Sequence, residues 1–478
     1  MKRAARKYPM TRTLLSTLLL AACAALATQA QAQSAATMRL APKPQAKNII
    51  FFLGDGMGPT TITAARIYKA GEDGLLEFER LDRTARIKTY SADAQVTDSA
   101  PSMGAYMTGV KINNDVISLK DAKPVAPAKD ANGNATIDRC GANNGSAPMT
   151  ILELAKAAGK SVGAVTTTEL THATPASTFS HVCDRDMAYT IAQQLVPGGA
   201  GFNPRLGDGV DVLMGGGRNH FTPFDAKRNP KGRGDGRDLV AELDKQGYFI
   251  ATTRADMASS RPGQKLLGLY SAESHLDYAS QRRPEQPTLA EMTAKSIELL
   301  SANPKGFFLM VEGGKIDHAL HDTNARNALI ETVAFDEAIE KAMERMRAID
   351  PGLDNTLIVV TADHDHTMVL NGYPKRGNPV LDIVRGYANG EPTRDADGKT
   401  FTTLVFGNGP NRPDLRADVD GASAQGAGYH QETGVKWSSE SHGGGDVKLY
   451  AAGAGSAPFR GTIENTHVFT LMKAALGL

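Results

Sequence analysis

The sequence predicts an α/β protein built on one large, mostly parallel central sheet flanked by helices, with an inserted surface subdomain. Three observations carry this. Short apolar runs alternate with segments of helical period, the rhythm of βαβ units. Several runs, such as Asn48–Leu53, are apolar almost throughout, as strands covered on both faces require. The runs end in Asp, Glu, His or hydroxyl residues, and open α/β sheets bind ligands at the carboxyl ends of their strands.

The first 32 residues stand apart from this pattern. Lys2, Arg3, Arg6, Lys7 and Arg12 form a basic start, Leu14 to Ala27 an apolar stretch, and Ala30-Gln31-Ala32 a small-residue cleavage site. Residues 1–32 therefore read as a signal peptide, and a periplasmic or secreted protein is expected. Leu20-Ala21-Ala22-Cys23 also fits a lipoprotein box, but the apolar run continues past Cys23, which favours cleavage near Ala32. No later stretch approaches the roughly 18 apolar residues of a membrane span, so the mature chain is expected to be soluble or at most tethered. The net charge of +1 over 478 residues gives no reason to expect nucleic acid or an anionic membrane as partner. Beyond the leader only Cys140 and Cys183 remain; in an exported chain they could form one disulfide, and their spacing leaves that open.

In chain order, strands are expected at Asn48–Leu53, Ser161–Thr166, Val210–Met214, Phe307–Glu312, Thr356–Thr361, Thr403–Phe406 and Val447–Ala451. Helices are expected at Thr60–Ala70, Ile151–Ala158, Asp186–Leu195, Leu289–Ala302, Ala325–Ala348 and Thr466–Ala475. The clearest is 325–348, where Ala328, Ile330, Val333, Ala334, Ile339 and Met343 fall near helical spacing and Pro351-Gly352 ends the pattern. Residues 113–148, rich in Asn, Asp, Gly, Ala and Pro, read as a surface excursion. Residues 372–435, also polar and rich in Gly and Pro, read as a loop-rich subdomain inserted between two core strands of a domain spanning 47–478. Arg233-Gly234-Asp235 spells an adhesion tripeptide in a run of Gly, Arg and Asp, and reads as chance.

The chemistry gathers at strand ends. Asn48–Leu53 runs into Gly54-Asp55-Gly56-Met57-Gly58, and Phe307–Val311 into Glu312, Asp317, His318 and His321. Thr356–Thr361 runs into Asp363 and His364, and Ser161–Thr166 leads to His172 and Thr174. Each alone has a structural explanation, since Asp-Gly pairs make turns and Asp317 suits a helix start. Four coincident strand ends argue for a site. Asp, Glu, His and hydroxyl without Cys is the donor mixture of catalytic zinc and magnesium. Asp317 and His321 are four apart, so one helical turn presents both to one ion. His442, in Glu440-Ser441-His442-Gly443-Gly444-Gly445, is a late candidate. Thr97-Asp98-Ser99-Ala100 precedes a small-residue stretch; a serine where a helix begins faces unpaired backbone N–H groups, a natural anion site, although Ser or Asp there also serves as a cap.

Gly54-Asp55-Gly56-Met57-Gly58, Thr97-Asp98-Ser99-Ala100, Thr171-His172-Ala173-Thr174-Pro175-Ala176, Glu312-Gly313-Gly314-Lys315-Ile316-Asp317-His318 and Thr361-Ala362-Asp363-His364 together resemble the alkaline phosphatase family, in order from about residue 47 to the C-terminus. The resemblance implies hydrolysis of phosphate monoesters with Ser99 as nucleophile, releasing inorganic phosphate, in a homodimer. It implies one zinc ion on Asp317, His321 and His442, a second on Asp55, Asp363, His364 and Ser99, and a magnesium ion on Asp55, Thr174 and Glu312. Arg185 matches the family's phosphate-clamping arginine, with Asp98 beside Ser99 placed to orient it. Some members carry Asp and Lys where His172 and His318 stand; here His172 is implied near the third metal through water, and His318 near the phosphate or a bridging water. His181, His220, His275, His366, His430 and His467 are left as structural or surface residues, with His366 the first exception to look for.

Two other readings are weighed against this one. A sulfatase needs Cys or Ser before X-Pro-X-Arg, and Ser99-Ala100-Pro101-Ser102-Met103 lacks the arginine; a diesterase commonly uses Thr and lacks the Arg185 clamp. A phosphate-scavenging or metal-storage protein would need no nucleophile, and this chain carries one with its full ligand set.

Overall fold

In the computed structural model, which describes residues 46–129, 136–137, 140–141 and 143–478, the apolar runs become the middle of a ten-stranded sheet. Its strands are Asn48–Gly54 (β1), Arg83–Lys88 (β2), Ser161–Glu169 (β3), Val212–Gly216 (β4), Tyr248–Ala251 (β5), Lys265–Leu269 (β6), Phe307–Gly313 (β7), Thr356–Ala362 (β8), Val447–Gly453 (β9) and Gly461–Glu464 (β10). Across the sheet they run β10-β2-β9-β8-β1-β7-β3-β4-β6-β5. Neighbours are parallel except for β9, which is antiparallel to both β8 and β2.

β1 sits between β7 and β8, with Ile50 opposite Leu309 on one side and Ile358 on the other. Six of its seven residues are buried, which explains a run with no polar alternation. Phe52 meets Phe335 of the neighbouring helix edge-on at 6.0 Å. Truncating Phe52 to Ala would open a cavity in this layer, at a cost of about 3–5 kcal/mol.

Helices cover the sheet: Pro59–Ala70 (α1), Ser99–Thr108 (α2), Ile151–Ala157 (α3), Ala173–Phe179 (α4), Ala188–Gln193 (α5), Leu289–Leu300 (α6), Lys315–His321 (α7), Ala325–Ile349 (α8) and Asn465–Leu476 (α9). Their starts follow local rules. Thr150 and Glu153 form a reciprocal capping box before α3, as Thr288 and Glu291 do before α6. Asn324 caps α8 by accepting from the Asn327 N–H at 2.9 Å.

Several expected boundaries move. The helix expected over Asp186–Leu195 is only Ala188–Gln193, because Asp184 Oδ1 takes the Asp186 N–H at 2.9 Å and holds the preceding residues in a turn. The strand expected at Thr403–Phe406 is Leu404–Gly409, and it lies outside the main sheet, between Met368–Leu370 and Thr433–Lys436 in a three-stranded sheet. Four strands of the main sheet, β2, β5, β6 and β10, are not among the expected ones; β5 and β6 are mostly apolar but only four and five residues long. β2 alternates buried Ala85 and Ile87 with exposed Arg and Lys, as a strand near a sheet margin does.

Cys140 and Cys183 are joined, with Cα atoms 5.5 Å apart. Arg233 of the Arg-Gly-Asp run is fully buried, donating to the carbonyls of Tyr189 and His220 and pairing with Asp235. The leader at 1–32, its lipoprotein alternative at Cys23 and part of 113–148 lie outside the described residues. Among the described residues no helix is long and apolar enough to cross a membrane.

Candidate active site

The carboxyl ends of β1, β8, β7 and β3 lie side by side, so the segments leaving these strands converge. After β1, Asp55 is fully buried in a turn through Gly56, whose φ is 67°. A Cβ on Gly56 would stand 2.4 Å from His366 Nε2, so only glycine fits there. After β8 come Asp363 and His364, both fully buried. β7 ends with buried Glu312, and α7 presents Asp317, His318 and His321 one turn further on. β3 leads to α4, with His172 at its N-cap and Thr174 in its first turn. His442 arrives on the strand His442–Gly443, which pairs antiparallel with Asp365–His366.

Three groups of ligand atoms result, each within 4.8 Å of one another: Asp317, His321, His366 and His442; Asp55, Asp363 and His364; and Asp55, His172 and Glu312. Thr174 Oγ1 lies 3.5 Å from Asp55 Oδ2, beside the third group.

The hydrogen bonds around the imidazoles determine what these groups can hold. His321, His364 and His442 each donate from Nδ1 to a backbone carbonyl, of Glu440, Asp365 and Thr97 respectively. That leaves every Nε2 as a lone pair facing inward, the tautomer a metal ligand needs. His321 Nε2 and His442 Nε2 stand 3.1 Å apart, two acceptors that repel unless a cation lies between them. His366 is tied differently, with Nδ1 donating to Glu440 Oε2 at 2.5 Å and Nε2 to Asp317 Oδ1 at 2.9 Å. It has no lone pair to give and serves to orient Asp317.

The carboxylates tell the same story. Burial, reinforced by the charges of Asp317 and Glu312, pushes Asp55 well above its ordinary pKa. Burial likewise pushes Asp363 and Glu312 up to about 7. Burial also works to raise Asp317, yet His321, His366 and His442 outweigh it and hold the carboxyl well below the usual range. Glu312 Oε1 and Asp363 Oδ2 are buried and receive no hydrogen bond. Crowded carboxylates with empty lone pairs are what a cation would satisfy, so the donor set fits bound metal.

Ser99 is the first residue of α2, because Asp98 is the N-cap and accepts from the Ala100 N–H at 3.1 Å. Ser99 Oγ lies 3.3 Å from His364 Nε2 and 3.4 Å from Asp55 Oδ1. Arg185 reaches in from the segment after Cys183, pairing through Nη1 with Asp98 Oδ1 and donating from Nη2 to His172 Nε2 at 3.2 Å. Asp98 therefore caps the helix and holds the arginine.

The comparisons with known proteins bear on this geometry. A family model described as alkaline phosphatase matches residues 46–478. An alkaline phosphatase of Gadus morhua is 36% identical over 89% of this chain and 91% of its own length. The human tissue-nonspecific alkaline phosphatase is 35% identical over 90% of this chain and 83% of its own. The crystal structure of Thermus thermophilus alkaline phosphatase superposes with a TM-score of 0.64 at 27% identity, covering 92% of this chain and 94% of that one.

The chain belongs to the alkaline phosphatase family. It is a phosphoric monoester hydrolase, and the metal dependence of the alkaline phosphatases agrees with its candidate metal-binding groups.

Within this alkaline phosphatase two residues of the site had no role in the sequence reading, and a third was named only as an exception. His366 lies against Asp317, and the period-two run Asp363-His364-Asp365-His366 was its only signal. Glu440 is buried and grips both His366 and Thr367, two residues before His442; nothing in a polar loop distinguishes such a glutamate. His275 packs against His318 and His172 from the loop after β6, a strand of five residues that is not among the expected ones. The other histidines stay apart from the metal groups: His181 bridges Glu153 and the Ser118 carbonyl, His220 bonds Thr171, and His430 and His467 are exposed.

Proposed function

We propose that the chain hydrolyses phosphate monoesters by two successive in-line displacements, with a phosphoserine on Ser99 between them. The observation that carries this is the position of Ser99 Oγ, at a helix start and 3.3 Å from His364 Nε2, with the Arg185 guanidinium beside the same helix end through Asp98.

In this reading Asp317, His321 and His442 hold one zinc ion, and Asp55, Asp363 and His364, with Ser99 Oγ, a second. The nitrogen-bearing groups suit zinc; Asp55, Thr174 and Glu312, all oxygen, suit magnesium. His172 Nδ1 is buried without a partner beside the third group, and its part there is contact through water. When bound, such cations neutralise charge on the attacking and leaving oxygens and ease deprotonation of a water. The Arg185 fork grips two phosphate oxygens, which a lysine could not reproduce. Ser99 loses its proton to solvent, Oγ forms the new bond to phosphorus as the ester P–O bond breaks, and the departing oxygen takes a proton from solvent to leave as the alcohol. A water then breaks that bond from the opposite side, regenerating Ser99 and giving retention at phosphorus. His318, held mostly neutral because burial pushes it down to about 4, faces the phosphate as a hydrogen-bonding group rather than a fixed cation.

We further propose export through the leader at 1–32, a catalytic domain over 47–478 with 372–435 as its inserted subdomain, and assembly as a homodimer; leader composition, chain pattern and family resemblance support these in turn.

The test is Ser99→Ala in the metal-loaded protein, assayed with p-nitrophenyl phosphate and by acid-trapping of labelled phosphoenzyme. The phosphoenzyme should vanish and turnover should fall by at least about 10³-fold, the scale of losing a covalent nucleophile. Undiminished turnover would overturn the assignment.

A further inference from the structure

We propose that His275 is a positioning residue for the phosphate side of the site, acting by fixing the ring of His318. The proposal rests on the reading of His318 as a phosphate-facing group.

The imidazole of His318 sits between chemistry and packing without a bond of its own. Among the described residues its ring nitrogens make no hydrogen bond, so rotation of the ring is limited only by its neighbours. Two of those neighbours are other imidazoles. The His275 ring stands at 88° to it with centroids 4.3 Å apart, and the His172 ring at 63° and 5.5 Å. His275 also meets His172 at 90° and 5.5 Å, closing a three-ring cluster next to Arg185. Edge-to-face rings attract and resist rotation, so each ring here restrains the others.

What distinguishes His275 is that it is anchored from outside the cluster. Its Nδ1 accepts the Glu169 N–H at 3.0 Å, which sets the ring plane and leaves the proton on Nε2. The loop that carries it is pinned on both sides. The Gly217 N–H donates to the Ser274 carbonyl at 2.9 Å, and the Leu276 N–H to the Thr167 carbonyl at 3.0 Å. The fit is close enough that a Cβ on Gly216 would stand 2.3 Å from the Ser274 oxygen. β3 and β4 thereby transmit a fixed orientation to His275, and His275 passes it to His318. His275 itself has no contact with substrate in this mechanism and acts only through the neighbouring ring.

The experiment uses metal-loaded enzyme and two backgrounds. His275→Asn keeps an oxygen to accept the Glu169 N–H and removes only the ring edge. In the otherwise native enzyme it should lower kcat/KM for p-nitrophenyl phosphate about tenfold and weaken inhibition by inorganic phosphate by a similar factor, since small misplacement of a binding group is costly. In a His318→Ala background the same change should cost clearly less, because the ring that His275 approaches most closely is gone and only its longer contact with His172 remains. His275→Phe, which restores a ring edge without the acceptor for the Glu169 N–H, should recover kcat/KM only in part in the native background. An unmoved kcat/KM in His275→Asn, or an equal loss in both backgrounds, overturns the proposal. A native enzyme with no phosphomonoesterase turnover removes the parent reading and His275 with it.

Discussion

Asp98 holds Arg185 with one carboxylate oxygen and caps the helix of Ser99 with the other. Oδ1 meets Arg185 Nη1, while Oδ2 accepts the Ala100 N–H at 3.1 Å. The two duties separate under substitution. Asp98→Asn keeps a capping oxygen and loses the charge that holds the guanidinium; it should leave melting temperature nearly unchanged while raising the phosphate inhibition constant several-fold. Asp98→Ala should do both, with about 1 kcal/mol of cap stability lost as well. Equal phosphate inhibition in Asp98→Asn and native protein would show that Arg185 needs no such partner.

Asp363 is a carboxylate that only a cation makes tolerable. Burial raises it to about 7 in the folded chain. A group raised on folding contributes stability that is complete below its unfolded value, about 4, and is lost as pH rises through 7. In the metal-free protein at pH 8, Asp363→Asn should therefore be more stable than native, by up to about 4 kcal/mol, and the advantage should shrink towards pH 5. Once metal is loaded the order should invert. Chemical denaturation with and without chelator, at the two pH values, checks both signs. A metal-free native protein as stable as the variant at pH 8 would contradict the argument.

Cys183 lies two residues before Arg185, and its bridge to Cys140 closes a loop with a sequence separation of 43. The segment is also bound to residues 115–125: Ile117 pairs with Val182, and the Arg185 N–H donates to the Asp115 carbonyl at 2.7 Å. Cys140→Ser should lower stability by about 4 kcal/mol on the loop-entropy scale. Because the same strap positions Arg185, phosphate inhibition should weaken with it. A lowered melting temperature with unchanged phosphate inhibition would confine the bridge to stability.

Glu440 acts on the metal groups at one remove. It holds His366, which holds Asp317, while its carbonyl fixes His321. Glu440→Gln should reduce affinity for the ion at Asp317, His321 and His442 by about 10–100-fold, the usual effect of losing such a partner. Competition with a zinc chelator measures this directly, and unaltered affinity would remove Glu440 from the network.

Legibility in the sequence tracks burial. β1, β7 and β8 are covered on both faces, so their residues have to be apolar and the polar residue ending each run stands out; Asp55, Glu312 and Asp363 are readable for that reason. Arg83–Lys88 and Lys265–Leu269 lie away from the sheet centre and are short or alternating, and the loops beyond such strands are hidden with them; His275 is the example. His366 and Asp317 meet across 49 residues of sequence, and a pairing of that kind leaves no local trace. The sequence leaves the cap of α2 open because Asp98 and Ser99 are both good caps, and the arginine partner accounts for Asp98 taking the position.

The antiparallel strand β9 has a consequence for biosynthesis. It is wedged between β2 and β8, segments translated long before it, and His442 is made just ahead of it. The ribosome must therefore finish almost the whole polypeptide before this seam can close, and until then the nascent chain lacks His442, which completes the candidate group of Asp317, His321 and His366. The candidate group is therefore complete only with the last tenth of translation.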